Sequence, residues 1–330
     1  MSHRTIATLL AVTVLSLGAG SALAQTDPPR TAWGQPDLHG VWDFRTITPL
    51  QRPERLADQE FLTAEEAANL DQAAYDRNTR LYNQDAERTT AGENVDRRGA
   101  GQAPGSYNQF WIDSGTKTVG TRRTSLIIDP ADGKIPARTA DAELAGRGVP
   151  PPIIAPKADS WADRPLSERC LTFGVPNLLA GYNSYYQILQ SRDHVVILME
   201  MIHDARIIPI AGPPHVSDGI RQLHGDSRGR WEGDTLVVET TNYSDLGLFW
   251  NAADGFRLTE RFTRVGPDTL HYEITFDDQT TWTRPWTVLI PLKHSTEPMF
   301  EYACHEGNIG MEGILSGYRA QERAATERSR

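Results

Sequence analysis

The chain has 330 residues, of which 39% are hydrophobic and 23% charged, with a formal net charge of −10. That length suits one large domain or two small ones, and the apolar content is enough for a real core. The acidic balance argues against nucleic-acid phosphate as the main partner, because affinity there comes from Lys and Arg.

The first residues read as an export signal. His3 and Arg4 give a basic start, Ile6 to Leu17 is mostly apolar, and Ala22-Leu-Ala24 is a small-x-small cleavage pattern. Residues 1–24 are therefore expected to be a signal peptide, removed after Ala24, with a periplasmic or secreted product. The apolar run is too short to span a bilayer comfortably, and no other stretch reads as a transmembrane helix. The two cysteines, Cys170 and Cys304, are expected to pair in an oxidising compartment. Closing so long a loop is worth about 4–5 kcal/mol in the chain-entropy model. A reactive thiol or metal ligand at Cys304, beside His305, is the alternative.

Residues 25–184 read as a wrapping segment. Pro36-Asp-Leu-His-Gly-Val-Trp42 resembles the Gly-x-Trp opening strand of lipocalin-like barrels, in which a Trp packs across the closed end. Thr63-Ala-Glu-Glu66 is a capping box that opens a helix over 63–83. Residues 84–106 are polar and Gly-rich, as in a long loop or lid. Residues 124–136 read as a hairpin turning at Asp132-Gly133. Ala137 to Ala145 suggests a short helix ended by Gly146, and 148–167 is Pro-rich and extended.

Residues 185–306 read as an antiparallel core. The expected strands are Tyr185–Ser191, His194–Met201, Ala205–Ile210, Thr235–Tyr243, Arg257–Val265, Thr269–Phe276, Thr281–Leu292 and Met299–Cys304. Their connections are mostly short, so sequential strands should be antiparallel neighbours. Such a meander most economically closes on itself. The expected fold is therefore mainly β, a lipocalin-like barrel or strongly curved sheet, with an N-terminal helix and long wrapping loops. Residues 307–330 are left as a C-terminal tail, and 25–330 as one structural domain.

Three runs concentrate the chemistry: Glu200 to Arg206, His224 to Asp234, and Glu301 to Glu306. The candidate acid–base groups are His203, Asp204, His224, Asp226, His305 and Glu306, because His–carboxylate pairs orient an imidazole for proton transfer. The His224–Arg228 stretch reads as a loop, and loops on a rigid scaffold tend to hold functional groups. Glu260 alternates onto an apolar face and is either a general base or one half of a buried pair with an Arg. Arg206 and Arg284 are candidates to hold an anionic group. Trp282, Arg284 and Trp286 would form a cation–π ligand platform if they share an inward face, and a surface ladder if outward. A metal at His203, His224 and His305 is not excluded, although no close metal spacing is present. No nucleotide fingerprint and no Gly-x-Ser-x-Gly elbow occurs.

Five runs together resemble a family of secreted proteins of soil proteobacteria and acidobacteria: Arg123 to Pro136, Leu166 to Leu171, Met199 to Pro209, Gly225 to Asn242 and Tyr302 to Asn308. The resemblance implies export and assigns no role to any residue. The expected function is a secreted, cofactor-independent lyase, isomerase or hydrolase that acts on a small aromatic or carboxylated molecule in a barrel cavity. The alternative is a non-catalytic periplasmic binding protein for a hydrophobic ligand. Neither reading calls for nucleic acid or membrane as partner.

Overall fold

Alternation of apolar and polar side chains builds most of this molecule. In the computed structural model, which describes residues 28–83, 115–150, 157–178 and 181–328, strand β8 (Arg257–Arg264) buries Leu258, Glu260, Phe262 and Arg264. Strand β9 (Thr269–Asp277) buries Leu270, Tyr272, Ile274 and Phe276, and β10 (Trp286–Ser295) buries Trp286, Val288, Ile290 and Leu292. Period-two burial puts all of these on one face of the sheet. Phe276 and Trp286 are cross-strand partners and stack with ring centres 4.0 Å apart. Phe262 and Tyr272 are partners likewise, at 4.5 Å. Each fully buried side chain of this size is worth roughly 1.5–3 kcal/mol.

The remaining strands are β1 (Gly40–Asp43), β2 (Ile127–Asp129), β3 (Tyr185–Gln190), β4 (His194–Met199), β5 (Ala205–Pro209), β6 (Asp226–Glu232) and β7 (Thr235–Thr241). They form a ten-stranded antiparallel sheet in the order β5-β4-β3-β1-β10-β9-β8-β7-β6, with β2 also on β10. Two meanders, β3 to β5 and β6 to β10, are thus joined through β1, which pairs with β3 on one side and β10 on the other. Trp42 of β1 is fully buried, donates its Nε1–H to the Leu38 carbonyl at 2.9 Å, and lies under the Arg264 guanidinium. Gly40 precedes it at φ 134°, where a Cβ would sit 2.7 Å from His294 Nε2.

The sheet is not closed into a barrel, which corrects the stronger of the two expectations. Its edge strands β5 and β6 meet through one parallel bridge, Ile210 to Gly229, and the hydrogen bond from Ala211 N to Gly229 O. Side chains span the rest of this seam. Arg206 on β5 reaches Glu260 on β8 and Ser227 on β6. Gly229 permits the approach, since a Cβ there would lie 2.5 Å from Ile210 Cδ1.

Several boundaries differ from expectation. Met299–Cys304 forms no strand, and residues 278–285 form a turn before β10 starts at Trp286, after Pro285. The Arg123–Pro136 run yields the single short strand β2 and a Pro130–Gly133 turn rather than a hairpin. The stretch read as a loop around Asp226 is already strand β6. The tail contains helix α3 (Ile309–Arg328), which buries no residue fully.

Helix α1 (Ala64–Tyr82) starts at the Thr63 N-cap with the reciprocal Glu66 contact of a capping box, and buries Ala67 and Ala74. It is tied to the segment after residue 115, since Asp71 accepts from the Thr118 N–H and hydroxyl. A short helix α2 (Ala140–Leu144) follows the Thr139 N-cap. Among the described residues, no helix is long and apolar enough to cross a membrane. The expected signal peptide (1–24) and the polar loop (84–106) lie outside the described residues.

Candidate functional site

The β4–β5 connection shapes the site. Its loop, Glu200–Asp204, is closed by Met199 N donating to Asp204 O at 2.8 Å and His203 N to Glu200 O at 3.2 Å. Ile202 and His203 both take left-handed backbone, with φ of 59° and 47°. For a β-branched residue this is an outlier, costing on the order of 1–3 kcal/mol. The turn leaves the His203 ring exposed and places the Asp204 carboxylate against the segment that follows Cys170.

There Asp204 meets two groups. The Thr172 hydroxyl donates to Asp204 Oδ2 at 2.6 Å, and Phe173 N donates to the same oxygen at 3.3 Å. His224 Nε2 lies 2.8 Å from the Thr172 oxygen and 3.6 Å from Asp204 Oδ2. The hydroxyl has one proton, and the carboxylate takes it. Gly174 N donates to the same hydroxyl oxygen at 2.9 Å, so His224 must also donate, through Nε2–H. The tautomer is thereby set, and the lone pair of the neutral ring is on Nδ1. That nitrogen makes no hydrogen bond among the described residues, and the His224 side chain is 23% exposed.

Gly225 explains how His224 gets there. It has φ 67°, and a Cβ on it would lie 2.6 Å from the Thr241 carbonyl oxygen. Only glycine lets the chain turn so tightly over the end of β7. The Cys170–Cys304 disulfide forms as expected and closes the other flank. It fixes the coil carrying His305, whose ring centre lies 5.8 Å from that of His203. His203 Nδ1 lies 3.1 Å from the Tyr302 carbonyl.

The structure therefore sets Asp204 and His224 around Thr172, which sequence reasoning missed, and separately pairs His203 with His305. The other candidates lie apart. Asp226 is 5% exposed and is spent on a loop clamp: it accepts from His215 Nδ1 at 2.8 Å, Val216 N at 3.1 Å and Arg228 Nη1 at 2.7 Å. Glu306 is exposed and makes no ion pair among the described residues. His215 was also missed, because no short-range spacing ties it to Asp226.

Four expected substrate contacts need correction. Trp282 and Trp286 are fully buried core residues, while Arg284 is half-exposed and its Nη2 donates to both Asp129 carboxylate oxygens at 2.8 and 3.0 Å. The alternation that would align them requires a strand across 281–286, and that stretch is a turn. Arg206 is committed to Glu260 at 2.6 and 3.0 Å, and Tyr272 Oη donates to Glu260 at 2.5 Å. Burial would lower the Arg206 pKa, but the Glu260 carboxylate outweighs it and raises it. Burial, then Glu260, pushes the Tyr272 phenol well above its ordinary value. Glu260 is thus the buried partner of an Arg, one of the two roles read for it.

The inner face of the sheet holds little free space beside this network. The cavity lined by Arg206, Tyr186, Tyr272, Asn177 and their apolar neighbours has a volume of about 10 Å³, room for about one water. A hydrophobic ligand or a substrate does not fit there. Glu200, at the start of the β4–β5 loop, is 5% exposed with Oε2 unpartnered. Burial raises its pKa, opposed by hydrogen bonds from Phe300 N and Asn183.

The chain matches no protein-family model, no curated protein and no solved structure.

Proposed function

We propose that the protein is an exported acid–base enzyme in which His224 Nδ1 moves a proton and Asp204, through Thr172, orients the ring. The observation that carries this is the Thr172 hydroxyl with its three contacts, which turn the basic nitrogen of His224 outward. An imidazole held by a carboxylate on one side and open on the other is suited to proton transfer. It takes a proton from a substrate C–H or an attacking water, becomes an imidazolium facing Asp204, and returns the proton to the leaving or rearranged group. Lyase, isomerase and hydrolase chemistry all use such a step.

The half-exposed Leu171, Phe173 and Leu223 adjoin Thr172 and His224 in the chain and favour an aromatic or otherwise apolar substrate. The carboxylate part of the expectation has lost its two arginines, since both are paired within the chain. Export rests on the N-terminal pattern, the disulfide and the resemblance to secreted proteins.

Nitrogen-15 NMR of the His224 ring tests the reading without a known substrate. The expected spectrum has Nε2 protonated and Nδ1 bare, reverting to mixed tautomers in Thr172→Val. The opposite tautomer in the wild type refutes it. Turnover of aryl esters, lactones or enolisable aryl ketones should then disappear in His224→Ala.

A further inference from the structure

We infer that His203 and His305 form a two-imidazole site for a divalent transition-metal ion such as Zn²⁺ or Cu²⁺. Both rings are exposed, with centres 5.8 Å apart and planes inclined by 51°. A carbonyl oxygen only accepts, so the 3.1 Å contact between His203 Nδ1 and Tyr302 O places the proton on Nδ1 and leaves the Nε2 lone pair outward. Metal-binding histidines are typically held this way, by a carbonyl or carboxylate behind the ring.

The spacing fits one shared ion. With a metal–nitrogen distance of about 2.0–2.1 Å, each ring centre lies about 3.2 Å from the ion. Two such centres are about 5.2 Å apart at a tetrahedral angle and about 6.4 Å apart in a linear arrangement. The observed separation falls between these limits. Both ligands also have fixed backbones. His203 is in left-handed conformation at a hairpin loop, and His305 directly follows the disulfide-bonded Cys304.

Among the described residues, no group of three or more His, Cys, Asp or Glu side chains converges on a metal position. The ion therefore has two protein ligands, with water completing its shell, and exchanges freely. By the general order of divalent affinities, Cu²⁺ binds more tightly than Zn²⁺. His224, the remaining histidine of the three named from the sequence, lies with Thr172 instead and is not part of this pair. The inference stands apart from the acid–base reading, because neither His203 nor His305 shares a hydrogen bond with Thr172 or His224.

The test is isothermal titration of the untagged, disulfide-intact protein with ZnCl₂ and with CuCl₂. The expected result is one ion per chain, Cu²⁺ tighter, with at least tenfold weaker binding in both His203→Ala and His305→Ala. His194→Ala, exposed at the far end of β4, should bind like wild type, and thermal melts should show that all three variants are folded. Absence of binding, or wild-type affinity in both site variants, overturns the inference. Thr172→Val should keep the ion while losing the His224 tautomer, so the two readings fail separately.

Discussion

Arg206 Nη2 lies 2.6 Å from Glu260 Oε2, and this pair spans the sheet where β5 and β6 lack a continuous ladder. Both side chains are almost fully buried, at 5% and 0% exposure. Removing one partner strands a buried charge, so Arg206→Ala or Glu260→Ala should cost about 3–5 kcal/mol. Replacing the two together by Met and Leu should cost far less. Urea unfolding of the three variants measures both effects, and equal losses in single and double variants would contradict the assignment.

Gly225 should tolerate no side chain. Gly225→Ala places a Cβ 2.6 Å from a backbone oxygen at positive φ, so a loss of roughly 1–3 kcal/mol is expected. The same change should move His224 off Thr172, and the ring nitrogen shifts of His224 report this directly.

Glu200 predicts a pH dependence. Its carboxyl is buried and its pKa raised in the folded protein. Its stabilising contribution is therefore complete below the unfolded carboxyl pKa of about 4.3, and is lost as pH rises through the folded value. Glu200→Gln, which cannot ionise, should melt higher than wild type at pH 8 and close to it at pH 4. A variant that gains only at acidic pH would reverse the sign and reject the argument.

The disulfide gives a further prediction. The Cys170→Ser, Cys304→Ser double variant should lose about 4–5 kcal/mol by the chain-entropy account. Denaturant midpoints of oxidised and double-variant protein, with m-values compared, check it.

Much of the sheet was legible because period-two burial is a strong local signal. In Arg257–Arg264 it placed Glu260 inward correctly. It failed where chain direction changes without regard to periodicity. Trp282, Arg284 and Trp286 look alternate, yet Asp278 gathers the Thr280, Thr281 and Ala253 N–H groups into a turn that breaks the pattern. The site was half legible. His203, Asp204, His224 and His305 stand out as residue types, but Thr172 earns its place only through contacts with residues 32 and 52 positions away. Sequence spacing holds no record of such distances. Asp226 was misplaced for the same reason, since its partner His215 lies across a loop rather than a helical turn.

The seam between β5 and β6 is where side chains, rather than a backbone ladder, set the width of the sheet. Elsewhere, widening the sheet means breaking whole rows of inter-strand backbone hydrogen bonds. Here a handful of side-chain choices, Arg206, Ser227 and Gly229, set the gap. A smaller residue for Arg206, with Glu260 replaced alongside it, would open a lateral doorway to the aromatic interior, and a side chain at Gly229, whose Cβ would lie 2.5 Å from Ile210 Cδ1, would wedge the two meanders apart.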